Sequence, residues 1–426
     1  MNAPSLPTFR LRPPALVRLS DQAAILSTVA LLIASGAART RPELARATGL
    51  ARSTITATTR RLAAFGLIGS QGLGAPPGRG RPPELLMLNP QAGVVAIADL
   101  TPHHVRNSVV RMDQRLLATQ RWRFDLAVGP EATVTFVGDQ LTAMLEGLGP
   151  GRGRLRAIVV SVPGPVDTKR GVAVRPPILP GWDGYPVAER LTERLGCPCL
   201  VDNDVNLIAL AEARVLPADQ CPLLVVKVGT GIGGGLITAT GELHRGADGA
   251  ACDIGHLRAP GVHDVICSCG NVGCIEAVAS AEAITANLRA ARNDAALTQA
   301  DAEALARAGD PIVTRLIRDA ADTLGETIAA LVHMYNPARV VLSGPLTAAS
   351  DDLLAGVRSV VYQKALPLAT RNLTLAHSVI GQLSGTVGAA VLGIEHVLSP
   401  TAFAKAMAGG SRSGAPAAPN RQAAGG

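Results

Sequence analysis

The hydrophobic pattern begins with a stretch without charged side chains, from Ala23 to Ala38, directly after the helix-capping residues Ser20 and Asp21. With basic residues upstream, this stretch resembles a secretion signal, but it is shorter than the roughly 20 residues that span a bilayer. We interpret it as a buried first helix that ends at Gly36. Residues 1–18 are rich in proline and arginine without periodicity, and we predict a flexible N-terminus.

Two more helical patterns follow. Thr40 and Glu43 form a capping box that begins a short second helix, and Gly49 ends it. Apolar residues at helical spacing predict a third helix from Ala51 to about Phe65. Helix, glycine turn and helix is the helix-turn-helix layout, in which the second helix enters the major groove of DNA, although an ordinary helical hairpin has the same pattern. The candidate DNA-binding residues on the third helix are Arg52, Ser53, Thr54, Thr56 and Arg60.

Two short apolar strands flank the loop from Gly72 to Pro83. This loop is rich in glycine and proline, and its Arg79 and Arg81 can lie in a minor groove, where the negative potential is concentrated. A flexible hinge with incidental arginines is the alternative. Residues 19–89 are therefore predicted to form a winged helix-turn-helix (α+β) DNA-binding domain.

Charge is concentrated in the same part of the chain. Residues 1–89 contain eleven arginines, no lysine and three acidic residues, whereas the whole 426-residue chain has a net charge of +7, so the remainder is close to neutral. A basic module on a neutral body favours nucleic-acid binding, although a solvated basic tail would give the same count.

Beyond residue 90, apolar runs of strand length alternate with helical patterns, as in α/β proteins. The runs are Val94–Leu100, Val105–Val110, Ala157–Val162, Cys199–Val201, Leu223–Val228 and Ala338–Leu342.

One strand ends at Asn203 and Asp204, whose amide and carboxylate can bind vicinal hydroxyls but which also favour turns. Another is followed by Gly229–Gly235, with five glycines in seven residues, which suits either a phosphate loop or a hairpin turn.

Four potential metal ligands lie within nineteen residues: His256, Cys267, Cys269 and Cys274. Three thiolates and one imidazole form a closed tetrahedral set of the kind that structural zinc prefers, and buried free cysteines are the alternative. The chain has seven cysteines, an odd number, which argues for a reducing compartment; we predict a cytoplasmic protein.

The spacing H-x10-C-x-C-G-x2-G-C-x-E resembles the signature of the ROK family, which comprises sugar kinases and sugar-responsive repressors. The resemblance implies a two-lobed α/β actin-like ATPase (ribonuclease H-like) domain, with a structural zinc ion on the histidine and cysteines. It implies a first lobe over residues 90–203 with a C-terminal helix at 385–398, and a second lobe over 204–384. The sugar-binding residues that it implies are Gly164, Asn203, Asp204, Asp253, His256 and Glu276.

The sequence departs from the kinases of this family at two places. Their phosphate-binding turn D-x-G-G-T is replaced by Asp99–His104, in which both glycines are absent and Pro102 lacks an amide donor. Asp253 stands where the kinases have glutamate, and Cys252 where glycine is usual, which predicts a pocket for a different sugar.

We therefore predict a sugar-responsive transcriptional regulator, a repressor rather than an enzyme, that binds operator DNA and a sugar or sugar phosphate as a homodimer or homotetramer. The alternatives are an ATP-dependent sugar kinase with a DNA-binding appendage, in which Asp204 is the base, and a zinc-stabilised module without a ligand. No membrane partner is expected, and the Ala, Gly, Pro and Ser composition of residues 399–426 predicts a disordered tail.

Overall fold

The computed structural model describes residues 5–12, 21–73 and 84–410. The predicted wing loop, with Arg79 and Arg81, lies outside these residues. The chain divides into two compact units, one formed by residues 11–92 and 394–426 and the other by residues 1–10 and 93–393. Within the described residues no single helix is long and apolar enough to cross a membrane, and only the bent pair Gly381–Val397 and Pro400–Ala408 passes that test together.

The elements of the first unit, in chain order, are α1 (Gln22–Ala34), α2 (Arg41–Thr48), α3 (Arg52–Ala64), β1 (Ile68–Leu73) and β2 (Glu84–Leu88). The predicted caps are confirmed: Asp21 accepts a hydrogen bond from the Ala23 amide at 3.2 Å, and Thr40 and Glu43 complete the capping box. Gly49 ends α2 in the left-handed conformation, with φ of 70°. Local capping chemistry therefore sets the helix limits here.

Arg41 joins these helices to the hairpin β1–β2. Its Nη1 lies 2.7 Å from the Glu84 carboxylate, and the Leu86 amide donates to the Arg39 carbonyl at 2.7 Å. The apolar stripes of the three helices are fully buried, as shown by Leu26, Leu44, Ile55 and Leu62.

The second unit begins with a first lobe. Its elements are β3 (Val94–Thr101), β4 (His104–Arg111), β5 (Leu116–Arg123), α4 (Pro130–Gly147), β6 (Leu155–Val162), β7 (Val166–Asp167), β8 (Val172–Ala173), α5 (Val187–Leu195) and β9 (Cys199–Asn203). Five of these strands form one sheet in the order β5-β4-β3-β6-β9, in which β3, β4 and β5 are antiparallel and β6 and β9 run parallel to β3.

The second lobe continues with α6 (Asp204–Val215), β10 (Leu223–Val228), β11 (Ile232–Ile237), β12 (Leu243–His244), α7 (Ile275–Ala279), α8 (Ala281–Arg292), α9 (Gln299–Arg307), α10 (Pro311–Tyr335), β13 (Arg339–Ser343), α11 (Pro345–Ala349), α12 (Asp352–Lys364), α13 (Pro367–Thr370) and β14 (Thr374–His377). Its sheet has the order β12-β11-β10-β13-β14, with the same pattern of antiparallel and parallel pairs. The two lobes therefore share one topology. The strands β5, β11 and β14 were not predicted.

The helix α14 (Ser384–Val397) packs on the sheet of the first lobe through glycines. A Cβ at Gly393 would overlap Val95 of β3, and one at Gly388 would overlap the Leu207 carbonyl of α6. Small residues thus let this helix approach the sheet closely.

The prediction of a disordered tail from residue 399 is wrong for its first part, because α15 (Pro400–Gly410) is helical. Phe403 is buried, and its ring centroid lies 6.2 Å from that of Phe65. The Ser27 hydroxyl donates to the Leu398 carbonyl at 2.6 Å, just before α15. One well-placed aromatic residue therefore anchors a segment whose composition alone indicates disorder; residues 411–426 lie outside the described residues.

The predicted flexible N-terminus also needs correction where it is described. Phe9 is buried at 2% exposure, and the Arg10 amide donates to the Arg214 carbonyl at 3.0 Å. The Arg10 side chain donates to the Ala213 carbonyl at 3.1 Å. Arg10 is thus fixed against the end of α6, and Phe9 is buried beside it in the chain, with its amide donating to the Gln114 side chain at 3.4 Å.

Candidate functional site

A cleft of about 910 Å³ opens where the carboxyl ends of strands from both sheets meet. Open α/β sheets commonly bind ligands at this edge. The cleft is lined by every residue predicted to bind sugar: Gly164, Asn203, Asp204, Asp253, His256 and Glu276.

Asn203 has a positioning role in this cleft. Its side-chain oxygen caps α6 by accepting from the Val205 and Asn206 amides at 2.9 and 3.1 Å. Its Nδ2 donates to the Gly164 carbonyl at 2.8 Å, which holds the loop after β6. Gly164 has φ of 109°, a conformation that favours glycine, and a Cβ there would crowd Pro176. Asn203 therefore fixes the loop that carries Gly164, and little of its hydrogen-bonding capacity remains for a ligand.

Asp204 forms an ion pair with Lys227, a residue that the sequence analysis did not single out. The Asp204 side chain is 8% exposed and that of Lys227 21% exposed, so the pair lies in the floor of the cleft. Burial disfavours the ammonium, but the carboxylates of Asp204, Asp99 and Glu276 outweigh burial and raise the pKa of Lys227. Lys227 is therefore a charged group, and its ammonium occupies one carboxylate oxygen of Asp204, the residue predicted to bind sugar.

A second buried pair holds the neighbouring strand end. Asp202 is 1% exposed, and both its oxygens accept hydrogen bonds from the Arg245 guanidinium, which follows β12. The same carboxylate accepts from the Asn203 amide at 2.8 Å. Two guanidinium-to-carboxylate bonds fix direction as well as distance, so Arg245 ties the end of β9 to the second lobe.

The glycine-rich segment forms a tight hairpin between β10 and β11, and its turn residues Gly229, Thr230 and Gly231 line the cleft. Gly231 leaves room for the carboxylate of Glu276, which accepts from the Ile232 amide at 2.9 Å. Gly233 and Gly235 leave room for Val205 and Ala209 of α6. These glycines are therefore required by close packing around the site.

Two neighbouring residues shape the wall next to Glu276. Asp253 is exposed to the cleft, and Cys252 adopts φ of 69°, a left-handed conformation that is unfavourable for cysteine. Burial, and then the charge of Asp253, raises the pKa of the Cys252 thiol to about 12. Cys252 is thus a neutral group that fills space against Gly234 rather than a nucleophile.

The predicted metal ligands come together. One ligand atom from each of His256, Cys267, Cys269 and Cys274 lies within 4.8 Å of all the others. The Cys269 and Cys274 sulfurs are 3.7 Å apart, and the Cys267 sulfur is 3.7 Å from Nδ1 of His256. A tetrahedral zinc ion with Zn–S bonds of about 2.3 Å requires S···S edges of about 3.8 Å. The arrangement therefore fits a metal ion of this kind.

The turn that replaces the kinase phosphate loop is a short hairpin connection. Thr101 pairs with His104 across β3 and β4, so only Pro102 and His103 lie between the strands. Asp99 precedes this turn, and burial raises the pKa of its carboxyl although Arg106 and Lys227 oppose the shift. No glycine is available to open the turn around a phosphate group.

The candidate DNA contacts lie on the N-terminal unit. Arg52, Ser53 and Arg60 are exposed, whereas Thr54 and Thr56 are half-buried. The Thr56 hydroxyl donates to the Arg52 carbonyl at 2.9 Å, so its proton is already used within α3. No side chain caps the N-terminus of α3, whose first amides are therefore available to an anion such as a DNA phosphate.

Comparisons of the sequence with a family model and with known proteins agree on one family. A model described as the ROK family matches residues 98–396. Escherichia coli NagC, a DNA-binding transcriptional dual regulator, is 27% identical over 83% of this chain and 87% of its own. A glucokinase from Halalkalibacterium halodurans is 29% identical over 61% of this chain and 82% of its own. The similarity to the regulator thus covers a larger share of the chain than the similarity to the kinase.

A solved structure has the same fold over most of the chain. The crystal structure of a ROK family transcriptional regulator, a homolog of E. coli MLC protein, superposes with a TM-score of 0.76 and 22% sequence identity. The match covers 89% of this chain and 97% of that one. At this identity the match supports the fold, an actin-like sugar kinase fold for the second unit.

Proposed function

Because the chain belongs to the ROK family, we propose that it is a sugar-responsive transcriptional repressor with a winged helix-turn-helix. In this proposal the N-terminal unit binds operator DNA, and a sugar or sugar derivative binds in the cleft of the second unit. The regulator NagC, whose similarity extends beyond the residues matched by the family model, supports the proposal.

The observation that carries the proposal is the surface of α3. This helix follows α2 through the left-handed Gly49, and the hairpin β1–β2 comes next, which is the element order of a winged helix. Arg52, Ser53 and Arg60 project from α3 into solvent, and its uncapped N-terminus can receive a phosphate. A helix that only packed against its neighbours would not need this row of exposed polar and basic side chains.

The cleft supports a sensor more than a kinase. Asp204 occupies the position of the base in the kinases of this family, but here its carboxylate is paired with Lys227. The short turn at Pro102 and His103 offers few amide donors to a phosphate. A pocket that holds sugar hydroxyls and has no glycine turn after β3 suits binding without phosphoryl transfer. The similarity to a glucokinase supports the alternative, an ATP-dependent sugar kinase with a DNA-binding appendage, and this alternative is tested below.

We assign the ligand set His256, Cys267, Cys269 and Cys274 to a structural zinc ion. The chain around it has little regular structure and is held by isolated backbone bonds, such as the Cys267 amide to the Asn271 carbonyl at 2.8 Å. Zinc in a closed site would supply cross-links rather than catalysis. Glu276 lies two residues after Cys274, so the same ligand set positions the carboxylate that faces the cleft.

The response to sugar is a shift between two populated arrangements of the protein. Sugar that binds one arrangement better than the other moves the equilibrium by that difference in affinity. In a homodimer or homotetramer, the shift changes the spacing of two DNA-binding units relative to half-sites about 34 Å apart.

The test is operator binding by the full chain. Genomic fragments selected on the protein would supply the operator, and fluorescence anisotropy would measure affinity against salt. Arg52→Ala with Arg60→Ala should weaken operator binding at least about 10–100-fold and reduce the salt slope by about 4, because two phosphate contacts are lost from each of two DNA-binding units. Arg371→Ala, an exposed arginine of the second unit, is the matched control.

Two results would count against the proposal. If the double variant bound the operator as tightly as the wild type, α3 would not be the DNA-binding helix. If the chain phosphorylated any hexose, N-acetylhexosamine or pentose with ATP, the kinase alternative would be supported. Arg79→Ala with Arg81→Ala tests the wing separately by the same titration.

A further inference from the structure

The hairpin β4–β5 presents four basic or imidazole side chains to the cleft that the proposed function does not use. They are His104, Arg106, Arg121 and Arg123. The strand register places His104 opposite Arg123 and Arg106 opposite Arg121. Positions two apart on a strand share a face, so all four lie on one face of the hairpin. Like charges directly opposite each other destabilise a sheet, and a bound anion would relieve that repulsion.

The surroundings of these side chains leave their positive charge largely uncompensated. Arg106 donates to the Gln382 carbonyl at 2.5 Å and faces Asp99 in the strand register. In the part of the chain that the structure describes, Arg121 and Arg123 form no ion pair. Burial, followed by the nearby Arg121, lowers the pKa of His104, so the imidazole experiences the same repulsion.

A purely protective role does not account for the set. The strand β5 is at the edge of its sheet, and charged residues on edge strands prevent association with other chains. That explanation covers Arg121 and Arg123. It does not cover His104 and Arg106, which are half-buried on the interior strand β4 and line the cleft.

We propose that the effector is a phosphate monoester of a sugar, and that Arg106, Arg121 and Arg123, with His104, bind its phosphate group. The proposal rests on the sensor function proposed above and names the class of its ligand. Several cations converging on one face suit a phosphate dianion better than a single carboxylate, and guanidinium groups bind phosphate oxygens through paired hydrogen bonds.

The position of the cations relative to the hydroxyl-binding residues fits such a ligand. Asp99 interacts electrostatically with Arg106 on one side and with Lys227 and Asp204 on the other, so the two groups of residues are continuous. Arg106, Asp99, Ser161 and Asp202 follow one another across four neighbouring strands, and Asn203, a residue predicted to bind sugar, comes directly after Asp202. Three strand spacings separate Arg106 from Asp202, about 14 Å between backbones. The long arginine side chain shortens this gap toward the size of a sugar phosphate.

The first experiment uses inorganic phosphate as the probe, with the full zinc-loaded chain and chloride at the same ionic strength as the reference. At about ten times its Kd, phosphate should raise the Tm of the wild type by about 2 °C. Arg121→Gln with Arg123→Gln should abolish most of this shift, whereas the exposed Arg115→Gln at the turn of the same hairpin should keep it. An equal shift in the wild type and the double variant, or none in the wild type, would overturn the assignment.

The second experiment compares each sugar with its own phosphate monoester by calorimetry: xylose, glucose and N-acetylglucosamine. The phosphorylated member of one pair should bind at least about tenfold more tightly, and the double arginine variant should remove that advantage. A neutral sugar that binds as tightly as its phosphate, or ATP that binds through the same arginines more tightly than any sugar phosphate, would refute a phosphorylated effector. Operator binding by the wild type without any ligand reports on the proposed function separately.

Discussion

The two sheets of the second unit have the same strand order, and each places its first hairpin beside the cleft, but the two hairpins differ in chemistry. The hairpin β3–β4 and its neighbour β5 carry charged side chains, such as Asp99, Arg106 and Arg121. The hairpin β10–β11 is lined with glycines and contributes Lys227, whereas the carboxylate beside its turn comes from outside the sheet. Glu276 reaches it from α7, directly after the metal-ligand set.

This difference shows that the topology supplies the place of the site but not its chemistry. On the first sheet the strands themselves supply the charges, so regular backbone hydrogen bonds hold them. On the second sheet β10 supplies Lys227, but the carboxylate of Glu276 comes from outside the strands, after a loop of little regular structure that must be held by other means. Substitutions on the two sides of the cleft should therefore impair the site for different physical reasons.

Loss of the metal should produce the largest effect, and only on the second side. Cys269→Ser removes one of the four ligands, and we expect bound zinc to fall from about one per chain to a small fraction. The free energy of unfolding should decrease by about 4 kcal/mol, or roughly 6 °C in Tm, because the metal binds the folded site and not the unfolded chain. Elemental analysis and thermal unfolding are the measurements.

Cys199→Ser is the matched control, since this half-buried cysteine on β9 lies outside the ligand set. It should retain its zinc. Full zinc content in Cys269→Ser would refute the ligand assignment. The loop on the second side of the cleft would then not be held by this metal-ligand set.

The ion pair between Lys227 of β10 and Asp204 after β9 joins the two sides, so its loss should affect both. Lys227→Met leaves the Asp204 carboxylate unpaired at 8% side-chain exposure. Breaking a buried pair in this way should lower the free energy of unfolding by about 3 kcal/mol and abolish sugar binding. Urea denaturation and calorimetry would measure the two effects.

The control is Lys364→Met, which breaks an exposed pair with Glu326 and should cost about 0–1 kcal/mol. Asp204→Asn combined with Lys227→Met should recover part of the stability, since the two effects are coupled. The pKa of Lys227 is raised, so the contribution of the pair should be constant from neutral pH to about pH 10 and be lost as pH rises through the folded pKa of this lysine. Additive effects of the two substitutions would show that Asp204 and Lys227 are not energetically coupled.

The comparison also explains which parts could be predicted from the sequence. The caps of α1 and α2 depend on residues within four positions of each other, so Asp21, Thr40 and Gly49 were sufficient. The metal ligands could be found because they cluster within nineteen residues. Such short-range chemistry is visible without a fold.

The missed features depend on contacts distant in sequence. Lys227 is one lysine in an apolar strand, and its partner Asp204 is 23 positions away. The strand β5 alternates too weakly to be recognised, because it is an edge strand with few buried positions, and Arg121 was missed with it. The roles of the glycines at 231–235 follow from neighbours in α6 and α7 that no spacing rule connects to them.

The smallest expected effect tests whether the first side of the cleft stores electrostatic strain. Burial raises the pKa of Asp99 above that of the unfolded chain, so the folded protein binds this proton more tightly. Stability from this group is therefore present at low pH and is lost as pH rises from about 4 through the folded pKa. Asp99→Asn has no proton to lose and should stabilise the protein at pH 7 by about 1 kcal/mol, with no difference from the wild type below about pH 4.

Thermal unfolding from pH 3.5 to 8 would measure this difference, with Asp219→Asn as the control for removing one exposed negative charge. A variant that is less stable than the wild type at neutral pH would mean that Arg106 and Lys227 hold the Asp99 carboxylate in its charged form. In that case the charges on the first side would already be balanced within the protein. The repulsion on the face of β4–β5 would then be smaller than the anion-binding proposal requires.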